Sequence, residues 1–190
     1  MSSHHIVREK QEPALLVLGM ESFSEELFGQ LLEWSPTIIT TPHTAEKLDS
    51  LGIKVDWVVS NGDSEVSQSD IKRIPAGDDT LTGAAFKYLI DNHYPAVNVI
   101  TDELELDDFL LYAGHINLVI FHEQQKIYAI SSGFSKWKPA GEVVSLLASA
   151  TDLSYSGLEQ IGENRYKTMY DGFFTLQFKQ QLLFITEELN

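Results

Sequence analysis

Short apolar runs alternate with amphipathic helical patterns along the first two thirds of the chain, and this alternation restricts the fold more than any other feature. Residues 14–18 form a continuous apolar run that Gly19 ends, which is typical of a buried strand. A helical pattern follows, because Ser24 can cap a segment that carries Leu27 and Leu31 on one face. Strands that alternate with helices form right-handed βαβ units. The sequence therefore predicts an α/β fold with a mostly parallel sheet flanked by helices.

The same alternation continues to residue 121. Further strands are predicted at residues 37–40, 55–60, 71–74, 96–100 and 117–121, and further helices at 42–51, 80–92 and 106–113. We assign residues 13–125 to this α/β domain. The polar residues 1–12 lack the apolar segment of a secretory signal and are expected to form a flexible tail.

The sequence changes character near residues 123–126, where short β-rich runs replace the helical patterns. Gln124 and Gln125 also fit a second interpretation, a tight turn within a hairpin. Residues 126–190 are predicted to form a small all-β sandwich or barrel, with a terminal hairpin of residues 173–178 and 182–185. Five aromatic residues of this half could line a ligand pocket, although we favour a role in filling a small core. They are Trp137, Tyr155, Tyr166, Tyr170 and Phe173.

Charge and cysteine content exclude several classes of function. The formal net charge is −15, which argues against binding to nucleic-acid phosphates or to an anionic membrane surface. The chain has no cysteine, so disulfides, thiolate-bound zinc, iron–sulfur clusters and cysteine nucleophiles are excluded. No run approaches the roughly 20 apolar residues of a membrane helix. We expect a soluble, cytoplasmic protein whose partner is a small molecule.

Carboxylates are concentrated in loops that follow predicted strands. Asp63 and Glu65 follow the third strand, and Asp78 with Asp79 precedes the helix that begins near Thr80. Ligands of such sheets bind outside the carboxyl ends of the strands, and Mg²⁺ prefers oxygen ligands. An alternative stays open, because these residues are also ordinary turn, N-cap and first-turn residues. The acidic residues at 102–108 are interpreted mainly as the solvated start of a helix.

Three segments in this order resemble motifs of the thiamin pyrophosphokinase family. Residues 62–66 read Gly-Asp-Ser-Glu-Val where the family has Gly-Asp-Phe-Asp-Ser, and residues 77–81 read Gly-Asp-Asp-Thr-Leu where it has Lys-Asp-x-Thr-Asp. Residues 104–110 stand where the family has Gly-Gly-Arg-x-Asp-His. The resemblance covers about residues 14–183. It implies an α/β domain of the catalytic type at residues 13–125 and a β-rich domain of the thiamin-binding type at residues 126–190.

Family members transfer diphosphate from ATP to thiamin, so the resemblance implies a Mg²⁺ cofactor, ATP as co-substrate and roles for individual residues. It implies that catalysis and metal binding belong to Asp63, Glu65 and Asp78. Contacts to a thiamin-like or nucleotide-like substrate are expected from Asn61, Thr80 and Asp107. Family members are also dimers that bind thiamin between subunits, which implies a homodimer. Residues 126–190 carry a net charge of only −1 and are rich in aromatics, so we expect the interface there.

The sequence departs from the family's pattern at several positions, including residues 41–43, which read Thr-Pro-His where the family has Asp-Gly-Gly. Glu65 and Leu81 stand where the family has Asp, Gly77 replaces Lys, and Glu105 replaces Arg. Diphosphate transfer develops negative charge that Mg²⁺, Lys or Arg must stabilise, and losing one such group typically costs about 10²–10³ in rate. The sequence therefore predicts a relative that transfers diphosphate inefficiently. Two alternatives remain, a non-catalytic protein that binds a small ligand or nucleotide, and a metal-dependent hydrolase that uses the same carboxylates.

Overall fold

The computed structural model describes residues 13–62, 68 and 70–189, and the predicted tail at residues 1–12 lies outside this set. The chain divides into two compact units, Met1–Leu118 and Val119–Asn190. No helix in the described ranges is long and apolar enough to span a lipid bilayer.

The first unit alternates strands and helices in the order that the sequence periodicity predicts. Its elements are β1 (Ala14–Val17), α1 (Glu25–Leu32), β2 (Ile38–Thr40), α2 (Pro42–Ser50), β3 (Trp57–Ser60), β4 (Lys72–Pro75), α3 (Leu81–Asp91), β5 (Ala96–Ile100) and α4 (Leu106–Leu110). The strands lie in the order β5-β1-β2-β3-β4, and their pairings are parallel. All four residues of β1 are buried, which explains why residues 14–17 are continuously apolar rather than alternating.

Local chemistry sets the ends of the helices. The Ser24 hydroxyl accepts a hydrogen bond from the Leu27 backbone N–H at 3.4 Å, and the Thr80 hydroxyl accepts one from the Gly83 N–H at 3.0 Å. These bonds satisfy N–H groups that have no partner within the first turn of α1 and α3. Gly52 follows α2 with a φ of 71°, a conformation that glycine adopts without steric cost.

The second unit consists of antiparallel strands. They are β6 (Asn117–His122), which begins just before the boundary, β7 (Gln125–Ile130), β8 (Phe134–Lys138), β9 (Val143–Leu146), β10 (Ser154–Ser156), β11 (Leu158–Gly162), β12 (Arg165–Thr168), β13 (Gly172–Gln177) and β14 (Leu183–Glu188). One group of strands has the order β6-β7-β14-β9-β12-β11, and β10-β13-β8 form a separate sheet. Phe174 and Leu176 of the three-stranded sheet share a buried cluster with Ile130, Leu146 and Ile185 of the other strands.

The predicted fold class is confirmed at this level, since a mostly parallel sheet with helices is followed by antiparallel strands. The description of the second part as a sandwich or barrel stays a prediction. The hairpin interpretation near residue 124 is also correct, because β6 and β7 pair directly. Their turn is Glu123-Gln124, one residue earlier than expected, since His122 pairs with Gln125.

Two expectations for the second unit are wrong. β13 and β14 are not hairpin partners, because β13 pairs with β8 and β10, whereas β14 pairs with β7 and β9. Alternating apolar residues identify the buried face of a strand but not its neighbour, so the sequence did not distinguish these pairings. The aromatic residues do not mainly fill the core either. Tyr166 is buried, but four others are exposed, namely Trp137, Tyr155, Tyr170 and Phe173.

Candidate functional site

A cleft of about 420 Å³ lies in the first unit at the carboxyl ends of β1, β2 and β5. β2 and β5 flank β1 on opposite sides, so the strand order reverses between β1 and β5. Open α/β sheets bind their ligands at such a switch point. The cleft is lined by residues 18–21, Thr41, His43, Thr44, Lys47, Leu81, Thr82, residues 101–103, Glu105, Asp108 and Phe109.

The carboxylate of Asp102 joins the two loops that meet at this switch point. It follows β5 and accepts hydrogen bonds from the loop after β1, from the Glu21 backbone N–H at 2.9 Å and the Ser22 backbone N–H at 3.2 Å. The Ser22 hydroxyl donates a third bond at 3.1 Å. Burial by itself raises the pKa of Asp102, but these hydrogen bonds and nearby Lys47 reverse the effect and hold that pKa below its ordinary value. Asp102 is therefore a fixed anion that shapes one wall of the cleft.

Gly19 lets Asp102 reach this position. A Cβ atom at residue 19 would lie 3.0 Å from the Asp102 Cγ and 3.1 Å from its backbone nitrogen, and closer still to a carboxylate oxygen. Real Cβ atoms almost never come as close to another heavy atom as this one would come to the carboxylate oxygen, so the Asp102 side chain would have to move. The glycine is thus required by the close approach of the two loops.

Threonine hydroxyls fix the wall formed by β2 and α2. Thr40 donates to the Val17 carbonyl at 2.7 Å, and Thr44 donates to the Leu18 carbonyl at 3.2 Å. Thr41 donates to the Thr44 hydroxyl at 3.1 Å. These bonds tie the start of α2 to the end of β1, so the backbone around this part of the cleft is held in place.

The lining of the cleft is strongly acidic. Five carboxylates line it, from Glu21, Asp102, Glu103, Glu105 and Asp108. Among the lining residues that the structure describes, Lys47 is the one lysine and there is no arginine. The Lys47 ammonium lies 2.8 Å from the Glu21 carboxylate, so part of its charge is already neutralised within the protein. The arrangement favours neutral or cationic groups over polyanions.

The residues singled out from the sequence lie outside this lining or outside the described residues. Asp63 and Glu65 belong to the latter group. Asn61 is exposed just after β3, Asp78 is exposed before α3, and Asp107 is exposed in the first turn of α4. Thr80 is exposed and caps α3 through the bond to Gly83. The structure therefore does not test their assignment to catalysis, metal binding or substrate contact, which stays a prediction.

The predicted metal site also lies partly outside the described residues. In the ranges that the structure describes, no group of three or more His, Asp or Glu side chains has the arrangement of a metal site. The predicted trio includes Asp63 and Glu65, which lie outside the described residues, so metal binding by this trio stays a prediction. Asp79, which follows Asp78 and precedes α3, forms an ion pair at 2.6 Å with Lys87 of that helix.

The sequence pattern alone does not place Gly19, Lys47 or Asp102 in a binding site. The pattern predicts that Asp102 belongs to the solvated acidic start of a helix, whereas the helix begins only at Leu106. A signal was present, because the loops after residues 18 and 100 follow adjacent buried strands. A Gly in one loop and an acidic residue in the other are suited to a close approach.

Similarity to known proteins was found at the level of three-dimensional structure. A scan against protein-family models gave no match, and a search of curated proteins gave none either. Thiamine pyrophosphokinase from Bacillus subtilis superposes with a TM-score of 0.66 at 15% identity, covering 94% of this chain and 100% of that one. Thiamin pyrophosphokinase from Geobacillus thermodenitrificans gives a TM-score of 0.68 at 13% identity, covering 93% and 97%. Yeast thiamin pyrophosphokinase gives 0.71 at 10%, covering 97% and 88%.

This chain has the thiamin pyrophosphokinase fold. The similarity extends over nearly the whole chain, including both the α/β and the β-rich parts. Because sequence identity is low, the fold is what these comparisons establish, and the chemistry of the site has to be argued from its own residues.

Leu81 and Glu105, two departures from the family's motifs, each change a charge in the cleft of this thiamin pyrophosphokinase fold. Leu81 and Glu105 both line it. Leu81 contributes an apolar side chain where the motif has a carboxylate, and Glu105 contributes a negative charge where the motif has Arg. The substitutions therefore change the surface of the cleft itself.

Proposed function

We propose that this protein binds a small molecule in the cleft at the carboxyl ends of β1, β2 and β5 and does not transfer diphosphate efficiently. The cleft volume of about 420 Å³ lies within the range of small-molecule sites, which is roughly 300–1,000 Å³. The acidic lining carries the second half of the proposal. Five carboxylates and one lysine would repel the phosphates of a nucleotide rather than stabilise their developing charge.

The fit of ATP and Mg²⁺ can be judged from the donor set. The described lining offers the triphosphate one lysine, which is already paired with Glu21, and no arginine. This lining does not suit a triphosphate, and we derive no reaction step through ATP. Mg²⁺ binding by Asp63, Glu65 and Asp78 stays a prediction, as do the hydrolase alternative and the cytoplasmic location.

Assays with ATP, Mg²⁺ and thiamin test the loss of transfer. We expect formation of thiamin diphosphate to be absent or far below the ~1–100 s⁻¹ that is typical of kinases. Turnover within that range would contradict the proposal. Calorimetry with thiamin, and separately with ATP, then measures binding without turnover.

A variant of Glu105 tests whether the negative charge of the cleft weakens ATP binding. Glu105→Arg replaces a negative lining residue by a positive one, so ATP should bind more tightly, by about tenfold for each 1.4 kcal/mol of electrostatic gain. Glu159→Arg in β11 is the matched control, because it makes the same change in net charge at an exposed residue of the other unit. Equal ATP affinity of both variants would show that the cleft charge does not determine nucleotide binding.

A homodimer assembled through the second unit is part of the same proposal. Phe173 and Trp137 are cross-strand neighbours on β13 and β8, and they are 64% and 52% exposed. Aromatic residues of this kind are enriched at protein interfaces. Their exposure, together with the near-neutral charge of residues 126–190, supports a contact between two copies of the chain on this face.

Light scattering at micromolar concentration tests the dimer. We expect about twice the chain mass of 21.4 kDa for the wild type, and a mass near 21.4 kDa for Phe173→Asp, because burying an unpaired charge is costly. Gln177→Asp on the same strand is the control, since Gln177 is an exposed polar residue. A monomeric wild type would overturn the dimer, and a dimeric Phe173→Asp would place the interface elsewhere.

A further inference from the structure

Three lysines gather around one buried carboxylate in the second unit. Lys126 and Tyr128 lie on β7, Lys136 and Lys138 lie on β8, and Glu187 lies on β14. The side chain of Glu187 is only 7% exposed and that of Lys138 only 10%. Such a density of positive charge stands out in a chain whose net charge is −15.

The carboxylate of Glu187 is fully engaged by this cluster. Both of its oxygens accept hydrogen bonds from the Lys136 ammonium at 2.8 Å, and the Tyr128 hydroxyl donates to one of them. The Lys138 ammonium lies 3.3 Å from the same carboxylate and 3.5 Å from Glu142. The Lys136 ammonium also lies 5.0 Å from the centre of the Tyr128 ring, which is the distance of a cation–π contact.

Lys126 lies beside this network without an acceptor of its own. Its Cα pairs with that of Glu187 across β7 and β14, yet its ammonium forms no hydrogen bond or ion pair with the residues that the structure describes. Burial lowers the pKa of Lys126, the neighbouring Lys136 and Lys138 lower it further, and Glu187 opposes them only in part. Among the residues that the structure describes, the half-buried amine therefore has no hydrogen-bond acceptor of its own, and it shares its counter-charge, Glu187, with Lys136 and Lys138.

We propose that Lys126 binds a phosphate group, free or carried by a small phosphomonoester, above the buried Lys138–Glu187 pair, and that Lys136, whose N–H groups already donate to Glu187 and Tyr128, adds positive charge to the site. Three ammonium groups face only two carboxylates, Glu187 and Glu142, so the cluster has an excess positive charge that an anion would balance. The site is open to solvent at Lys136, which is 35% exposed, and at the partly exposed Lys126. Lysine is a compact cation that suits phosphate oxygens.

The site differs from the cleft in both residues and charge. All of its members belong to the second unit, and the cleft is lined by the first. Loss of phosphate binding at Lys126 can therefore be distinguished from loss of ligand binding in the cleft by substituting residues in only one of the two units.

Calorimetry and thermal unfolding with inorganic phosphate and with glycerol 3-phosphate test this site, against sodium chloride at equal ionic strength. We expect phosphate to raise the melting temperature of the wild type more than chloride does. Lys126→Met should bind phosphate about tenfold or more weakly, because a charge-assisted hydrogen bond is lost. Lys126→Arg keeps the charge and should retain binding. Lys179→Met is the matched control, since Lys179 is exposed and paired with Asp152.

Each outcome decides for or against the site. Response to both ligands supports binding of phosphomonoesters, and response to inorganic phosphate alone supports a site for the free ion. If phosphate and chloride have equal effects, ionic screening alone explains the response and the proposal is overturned. An unchanged phosphate affinity of Lys126→Met would also overturn it. If that variant does not fold, NMR of isotope-labelled lysine in the wild type replaces it. The Lys126 signal must then shift with phosphate while that of Lys179 does not.

Discussion

Glu187→Ala is expected to lower the free energy of unfolding by about 3–5 kcal/mol, which is the typical cost of removing one partner from a buried ion pair. The carboxylate of Glu187 accepts from Lys136 and Tyr128 and lies 3.3 Å from Lys138, whose side chain is 10% exposed. Without it, Lys138 keeps only the longer contact with Glu142, and the charge of Lys136 loses its counter-ion. Urea unfolding followed by circular dichroism measures the loss.

Two further variants test whether the loss of stability comes from the unpaired lysine charge that Glu187→Ala leaves behind. Glu188→Ala removes an exposed carboxylate from the next position of the same strand and should change stability little. Adding Lys138→Met to Glu187→Ala removes the buried charge that has lost its partner, so the double variant should recover part of the stability. If Glu187→Ala is as stable as Glu188→Ala, the cluster is not an important source of stability.

The loss of stability at low pH gives a second measure of how much the Glu187 carboxylate stabilises the fold. Burial by itself raises the pKa of Glu187, but the hydrogen bonds from Lys136 and Tyr128 and the nearby lysine charges hold it below the ordinary 4.5. A carboxylate with a lowered pKa in the folded state adds stability that is present above the unfolded pKa and is lost as the pH falls through the folded pKa. The wild type should therefore lose stability below about pH 4.5 more steeply than Glu187→Ala does.

The order of strands and helices could be predicted because it depends on local periodicity. The helices begin within one or two residues of the starts that the sequence indicates at Ser24, Pro42 and Thr80. The continuous apolar run predicts β1 directly. Strand pairing depends on contacts between distant segments. For this reason the sequence identified both β13 and β14 but joined them as a hairpin, although they belong to separate sheets.

The candidate site was predictable in location but not in composition. The rule that ligands bind at the carboxyl ends of parallel strands indicates the edge of the sheet at which the cleft lies. The lining residues Lys47 and Glu105 come from different helices and loops, and only the folded chain brings them to one cleft. Similarly, no spacing rule connects Lys126, Lys136 and Glu187, which meet through strand pairing and packing.

Gly19→Ala should destabilise the first unit by about 1–3 kcal/mol, the usual cost of forcing extra atoms into a packed position. The new Cβ would meet the Asp102 Cγ at 3.0 Å and its backbone nitrogen at 3.1 Å, so the carboxylate has to move. Moving it breaks the hydrogen bonds from Glu21 and Ser22 that join the loops after β1 and β5. Urea unfolding measures the cost, and calorimetry with a cleft ligand should show weaker binding.

A double variant tests whether the contact with Asp102 causes the stability loss of Gly19→Ala. Asp102→Ala alone removes the hydrogen bonds and should cost about 1–3 kcal/mol, the penalty for partners left unsatisfied. Once Asp102 is truncated, much of the obstacle to a Cβ at position 19 is gone, so the double variant should lose less than the two single losses combined. Gly29→Ala is the matched control, because a Cβ there meets nothing within 4 Å and alanine should stabilise α1 by about 0.5–1 kcal/mol. Additive losses at residues 19 and 102 would mean that Gly19 is required for a reason other than its contact with Asp102.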